Sequence, residues 1–378
     1  MSGFARSDVS PVAEWWRTVD KTMLTCLLIL LAVGLLTSLA ASPAAAERIN
    51  QSPYYYVYRQ AFFALAATAI MIGASILSPA WARRVAAVVF FGAFMMMAVV
   101  LLVGHEAKGA QRWIRLAGFT FQPSELVKPS LIVLTAWLLA QRERFPRIPW
   151  AVMTLAFYAA TVGLLLMQPD VGQSILLTAG FMIVFFVSGM SLLWFVSMIG
   201  GMLSVSVGLY MLLPHVRYRV NSFLNPAQYD TYQVDKAREA LERGGLLGAG
   251  IGEGEVKARL PDAHTDFIYS VIGEEYGLIV CFALILVFAV VAMRGMISSS
   301  NHPDPYARSA GVGLFALFGL QAAINIGVNV SLIPNKGMTL PFISYGGSSL
   351  IGSALTLGLA LALTRRRPDV SMRHFLTT

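Results

Sequence analysis

Apolar residues in this chain come in long unbroken runs, not in the alternation of half-buried strands or the narrow stripes of surface helices. A helix needs about 20 mostly apolar residues to cross hydrocarbon, and on that ruler roughly ten stretches qualify. They are residues 23–39, 61–77, 85–104, 124–139, 151–167, 173–189, 192–213, 267–292, 310–330 and 349–363. The pattern predicts an all-α polytopic membrane protein with about ten transmembrane helices and both termini on one side. Between the seventh and eighth spans the pattern changes, and residues 214–265 form one large polar loop. Within it, Asp230 caps a helical stretch whose Ala237, Ala240 and Leu241 share a face and which stops at Gly244-Gly245. A short amphipathic helix lying on the membrane surface is expected there.

Composition agrees with this reading: 57% of the 378 residues are hydrophobic and 13% charged, with a mean hydropathy of +0.66. No water-soluble domain of this size needs so apolar a chain. The expected organisation is a single membrane domain over residues 1–378, with tails at 1–21 and 365–378 and the loop at 214–265. Lys and Arg in short connections mark the cytoplasmic side. Arg17, Lys21, Arg83, Arg84, Arg142, Arg144, Arg147, Arg294, Arg308 and the Arg365-Arg366-Arg367 run all fall on the side of the termini, which is therefore expected to be cytoplasmic. The opposite connections hold a thinner set, Arg48, Lys108, Arg112, Arg115 and Lys336. That asymmetry accounts for most of the net charge of +8, so the basic balance is not read as a nucleic-acid surface. Cys26 and Cys281 both fall in predicted spans and are read as small apolar residues. The first span, followed by Ala44-Ala45-Ala46, is read as an uncleaved anchor, with Trp15 and Trp16 at the interface.

Ionisable groups in such a chain are costly, about 2.5–3.5 kcal/mol at the centre of a span, and usually mark function. Glu125 and Lys128 stand three apart on one helix face, either as a structural ion pair or with Lys128 binding an anion. Asp170, in Gln168-Pro-Asp-Val-Gly172, is a turn residue or helix cap on its own evidence. Arg217 and Arg219 face lipid headgroups or hold a phosphate. The glycines of Gly248-Ala-Gly-Ile-Gly-Glu-Gly254 lack the βαβ context of a dinucleotide fingerprint and read as a flexible loop able to close over a substrate. Residues 333–349 mix Gly, Pro and hydroxyls with Met338, Leu340, Phe342 and Ile343, the signature of irregular backbone lining a cavity at membrane depth. The densest polar cluster is Pro261-Asp-Ala-His-Thr-Asp-Phe267 followed by Gly273-Glu-Glu-Tyr-Gly277. Glu274 and Glu275, about 12 Å or more along a helix from Asp266, are expected to lie too deep for direct proton transfer and to hold helices together or line an inner cavity.

These motifs, with Phe121-Gln-Pro-Ser-Glu-Leu-Val-Lys128 and Pro334-Asn-Lys-Gly-Met-Thr-Leu-Pro341, occur in an order that resembles the SEDS family (shape, elongation, division and sporulation) over nearly the whole chain. Lys336-Gly-Met-Thr-Leu-Pro341 resembles the division branch more than the elongation branch. Pro261-Asp262 stands where many members have Pro-Glu. The resemblance implies a peptidoglycan glycosyltransferase that polymerises lipid II, with inversion, at the outer face of the bacterial cytoplasmic membrane and at the division septum. It implies a class B penicillin-binding protein and other division proteins as partners, besides membrane lipids. It also implies that Asp266 matches the catalytic aspartate, Glu125 and Lys128 a required pair, and Asp170 and Lys336 sensitive cavity positions.

Such chemistry needs a base at the acceptor hydroxyl and positive charge at the leaving diphosphate. Asp266 is assigned to the first, and Lys128, Arg217 and Arg219 to the second. Ser344, Ser348 and His264 complete the substrate-binding candidates, His264 having a structural hydrogen-bonding role as its alternative. A divalent cation, Mg²⁺ or Mn²⁺, held by Asp266 and shared with the diphosphate is expected, since no cluster has dedicated ligand spacing. The alternatives are a transporter moving lipid II across the bilayer, an elongation-type polymerase, and a scaffold that recruits division proteins.

Overall fold

The computed structural model describes residues 10–107, 110–116 and 119–365. Lys108, Arg366 and Arg367, and with them residues 1–9 and 366–378 of the two tails, lie outside the described residues. A short helix α1 (Pro11–Thr18) precedes the long α2 (Lys21–Glu47), α3 (Tyr55–Ile76) and α4 (Pro79–Val103). An antiparallel sheet of β1 (His105–Ala107), β2 (Ala110–Leu116) and β3 (Phe119–Phe121), in that order, adds a small β element to the helical chain. Then come α5 (Ser124–Ala140), α6 (Trp150–Met167), α7 (Val171–Val187) and α8 (Leu192–Leu212). The long polar segment folds as α9 (Pro214–Leu224), α10 (Tyr232–Gly244) and α11 (Val256–Arg259), and the chain closes with α12 (Ile268–Ser300), α13 (Pro305–Asn329) and α14 (Gly347–Thr364).

Each expected span coincides with one of the long helices. Eight of them are long and apolar enough to cross a membrane, while α7 is apolar but shorter. Helix α5 has 17 residues and carries Glu125 and Lys128. Starts follow local chemistry: Asp20 accepts from Met23 N–H at 3.1 Å, and Ser78 and Asp304 cap helices whose first residue is proline.

Helix α14 sits at the centre, packed on α3, α5 and α13, and most of its residues are buried. Small residues allow that closeness: a Cβ on Gly358 would lie 2.8 Å from Met71 O, and one on Gly352 2.7 Å from Glu125 O. Helix α8 is the opposite case and buries no residue.

Both described ends of the chain meet at one end of the bundle. Arg365 donates to Thr18 Oγ1 at 2.9 Å and to the Ser75 and Ile76 carbonyls ending α3, and Trp15 Nε1 donates to Ser75 Oγ at 2.8 Å. The start of α3, about 30 Å away by helix rise, packs Tyr56 against His264 with centroids 4.4 Å apart. Asp266 thus belongs to the end of the bundle remote from the chain ends.

Two expectations for the long polar segment are corrected. Helix α10 buries Ala237, Ala240 and Gly244 against the start of α12, not against a membrane surface. The glycine-rich stretch is pinned, not loose, and the reason lies in α12. Gly277 (φ +81°, ψ 173°) breaks that helix, leaving carbonyls before it and amides after it without helical partners. Ala249 and Gly250 donate to the Glu274 and Glu275 carbonyls at 2.8 and 3.2 Å, and Leu278 and Ile279 donate to the Gly245 and Leu246 carbonyls at 2.9 and 3.3 Å. A Cβ on Gly277 would stand 2.3 Å from Leu246 O, so only glycine fits.

Glu274 and Glu275 are part of the same joint. Glu274 accepts from Val256 and Lys257 N–H at 2.7 and 2.9 Å, and Glu275 pairs with Lys257 Nζ. They fasten the loop to α12. The chain is helical from Ile268 through both residues, and their buried carboxylates join α11 to α12, as expected of residues that hold helices together.

Candidate functional site

Asp266 ends the tight turn that starts at Asp262, whose carbonyl accepts from Thr265, Asp266 and Phe267 N–H at 3.0, 3.1 and 3.3 Å. From below, α13 holds the Asp266 carbonyl: Asn325 Nδ2 donates at 2.9 Å and Asn329 Nδ2 at 3.0 Å. Asn325 also donates to Met338 O, and Asn329 Oδ1 accepts from Ser270 N–H and Oγ. The backbone that presents the carboxylate is therefore fixed while the side chain itself is half-buried. Asn325 and Asn329 are functional positions that the sequence reading missed. With Gln321 they form an amide ladder at four-residue spacing in an otherwise apolar helix, which was the available signal.

Across the recess runs the segment 333–346. Gly337 (φ +55°) comes so close that a Cβ there would be 3.2 Å from Asp266 Oδ2. The segment then enters the bundle: a Cβ on Gly34, near the midpoint of α2, would be 2.2 Å from Phe342 O, and Phe342 and Ile343 are buried. Ser344 ties the two walls together, donating to Thr265 O at 2.5 Å and accepting from Leu340 N–H at 2.8 Å. Ser344 and Ser348 are both enclosed. Buried backbone needs internal partners, and here a hydroxyl supplies them. His264 packs between Tyr56 and Tyr345 and its carbonyl accepts from Tyr345 N–H at 2.9 Å, so it supports the turn.

Arg219 connects Asp266 to charges on three further parts of the chain, Arg112 on β2, Asp170 at the start of α7 and Lys336 in the 333–346 segment. Arg219 of α9 is exposed on one side and walled by protein on the other. That partial desolvation, with Arg112 as a like charge, pushes its guanidinium down, while Asp170 and Asp266 pull it up. Burial pushes the Lys336 ammonium down, Arg219 adds to that, and Asp170 opposes it. Asp170 caps α7 and is held by Gln122 Nε2 at 3.0 Å and Arg112 at 3.8 Å, yet burial still raises its carboxyl above the usual range. Arg112, on β2, also donates to the Gln168 and Pro169 carbonyls and so fixes that turn. It joins the site although the sequence reading used it only for topology.

Two expected members stand elsewhere. Arg217 donates to the Tyr210 and Met211 carbonyls at 3.4 and 2.6 Å, closing the end of α8. On a helix, residues two apart point about 200° away from each other, so Arg217 and Arg219 cannot share a site. Glu125 and Lys128 are 4% and 2% exposed and use each other: they pair at 3.0 Å, Lys128 donates to Gln173 and Gln321 at 2.7 and 3.2 Å, and Gln173 donates back to Glu125 at 2.9 Å. The void beside them is about 10 Å³, less than a substrate group needs. In this conformation they form a sealed network under the site. Among the described residues no group of three or more His, Cys, Asp or Glu side chains is arranged to hold a metal.

The arrangement offers a half-buried carboxylate on rigid backbone near the Arg219 guanidinium, suited to accepting a proton beside a negatively charged leaving group. Comparison with known proteins agrees in kind. A family model described as cell cycle protein, covering FtsW, RodA and SpoVE, matches residues 20–368. A Caulobacter vibrioides protein named "probable peptidoglycan glycosyltransferase FtsW" is 47% identical over 97% of this chain and 94% of its own length. One of the same name from Trichlorobacter lovleyi is 34% identical over 91% of this chain and 93% of its own. Among solved structures, a chain from a peptidoglycan synthase complex that coordinates polymerization and crosslinking is similar at TM-score 0.75 and 28% identity, covering 93% of this chain and 99% of its own. The rod shape determining protein RodA of Thermus thermophilus gives TM-score 0.69 at 25% identity, over 93% of this chain and 99% of its own.

Proposed function

The chain belongs to the cell cycle protein family of FtsW, RodA and SpoVE, and from that premise we infer that it is a multi-pass membrane peptidoglycan glycosyltransferase that polymerises lipid II, with Asp266 as its base. The observation that carries the reading is the Asp266 carboxylate on held backbone within reach of the Arg219 charge, with Lys336 next to Arg219. The acceptor hydroxyl oxygen attacks the anomeric carbon of the second saccharide, the bond to the lipid diphosphate breaks, and the proton passes to Asp266. The held backbone favours that transfer by keeping the carboxylate in place. Arg219 and Lys336 stabilise the charge growing on the diphosphate, and Arg112 keeps Asp170 and the α7 turn in place beside them.

A divalent cation, Mg²⁺ or Mn²⁺, would be held by Asp266 and shared with the substrate diphosphate, since no protein cluster is arranged to hold one among the described residues. Bound there it would neutralise diphosphate charge alongside Arg219 and Lys336.

The end of the bundle that holds Asp266 faces outward and the chain ends face the cytoplasm, in line with the basic residues gathered beside Arg365 and Arg83. The likeness to a chain of a peptidoglycan synthase complex supports a class B penicillin-binding protein as the crosslinking partner, and the identity to FtsW proteins supports work at the division septum with other division proteins. The carrier reading needs a polar path through the bundle, and Glu125, Lys128, Gln173 and Gln321 consume one another where that path would run.

The test is gel-resolved polymer from purified lipid II, with the partner present. Asp266→Asn is expected to lower chain growth by about 10²–10⁴-fold, while the protein reaches the membrane and melts as before. Growth at the original rate would remove Asp266 from this role.

A further inference from the structure

Beyond the recess, α9 and α10 face each other across a groove of about 720 Å³. Tyr218, Phe223 and Tyr232 present aromatic rings to it and are 47%, 40% and 47% exposed. The α10 wall adds Asp230, Asp235 and Arg238. Its shape is held from within: Asp230 Oδ1 accepts from Tyr232 N–H at 3.0 Å, Asp235 Oδ2 from Thr231 Oγ1 at 2.6 Å, and Tyr232 OH donates to Arg259 O at 3.2 Å.

The groove runs into the reaction site. Arg219 lines it and also feels the Asp266 charge. Pro261 lines it and directly precedes the turn that Asp266 ends, and Asn335 lines it next to Lys336. Asn335 Nδ2 donates to Gln233 Oε1 at 3.0 Å, joining the floor to α10.

Exposed rings on a short helix beside a membrane can simply rest among headgroups. The facing wall argues against that here, because Asp230 and Asp235 would set their carboxylates against lipid phosphates, like charge facing like. Because α10 packs its apolar stripe on α12, this charged face is the one left for water. Flat rings mixed with carboxylates and amides suit a pyranose, which offers apolar C–H faces to rings and hydroxyls around its rim to polar groups.

We propose that the α9–α10 groove binds the sugars of the glycan strand next to the one reacting at Asp266, and so keeps the strand on the protein between additions. This rests on the polymerase reading, and the experiment separates the two. Full-length protein with its transpeptidase partner is given purified lipid II, and both the initial rate of lipid II consumption and the strand length distribution are read. Tyr218→Ala/Phe223→Ala is expected to hold the rate within about twofold while strands become roughly tenfold shorter, the effect of losing two ring contacts on residence. Ser222→Trp, which fills the groove without removing a ring, is expected to shorten strands as well. In an Asp266→Asn background, which cannot turn over, a lipid-free GlcNAc–MurNAc oligosaccharide is titrated by calorimetry, and the double variant is expected to bind roughly tenfold more weakly. Unchanged strand length at unchanged rate, unchanged oligosaccharide affinity, or loss of oligosaccharide binding when the partner is added would each overturn the groove assignment. Absence of polymer from the wild-type chain would instead overturn the polymerase reading, and the titration would still decide the groove.

Discussion

Glu125 with Lys128, and Asp266 with Arg219 and Lys336, are both meetings of opposite charge in an apolar protein, yet they obey different rules. The first set is sealed: every polar partner is another protein side chain, and the pairing makes two buried charges tolerable. In the second the backbone that carries the carboxylate is held, and the cations are half-buried or exposed, not enclosed. Burial alone does not mark a reactive group; rigid backbone under an accessible side chain does.

The comparison can be broken at either set. Lys128→Met leaves Glu125 buried without its cation and is expected to cost about 3–5 kcal/mol, read as a fall in thermal stability of the detergent-purified protein; Glu125→Leu/Lys128→Met should recover most of it. An unchanged melt for Lys128→Met would mean that the pair is wet. Arg219→Ala should do the reverse, lowering polymerisation by about 10²–10³-fold with the melt unmoved. A smaller effect concerns pH. Burial and Arg219 lower the Lys336 pKa, so its positive charge is lost as pH rises through a range below that of an ordinary lysine. Activity is expected to decline there, and Lys336→Arg should keep it, since a guanidinium does not deprotonate; matching alkaline limbs would take Lys336 out of the site. Smallest of all is Arg217→Ala, expected to change the rate by less than about twofold because its bonds go to the end of α8.

The spans were legible because hydrocarbon imposes a length that any helix must meet, and the Asp266 turn because charge next to an apolar run is conspicuous. What was not legible depends on which faces meet. Gln321, Asn325 and Asn329 leave only a four-residue spacing in the sequence, and what they hold is visible only when α12 and the 333–346 segment are laid against their span. Arg217 and Arg219 are equivalent as sequence and are separated only by helical rotation. Glu125 and Lys128 looked available to an anion because their spacing says nothing of Gln173 and Gln321, which come from other helices. The β-sheet was missed because its strands are short, and Phe119 finds its support on α3, stacked on Phe62 at 5.8 Å.

Gly277 has one more effect. By turning a corner where the run of apolar residues begins, the chain divides what looks like a single rod into a short piece that belongs with the loops and a long piece that belongs in lipid. A methyl group at that corner would prise the two apart, freeing the cap over residues 245–257 and loosening, at a distance, the ground on which Asp266 stands.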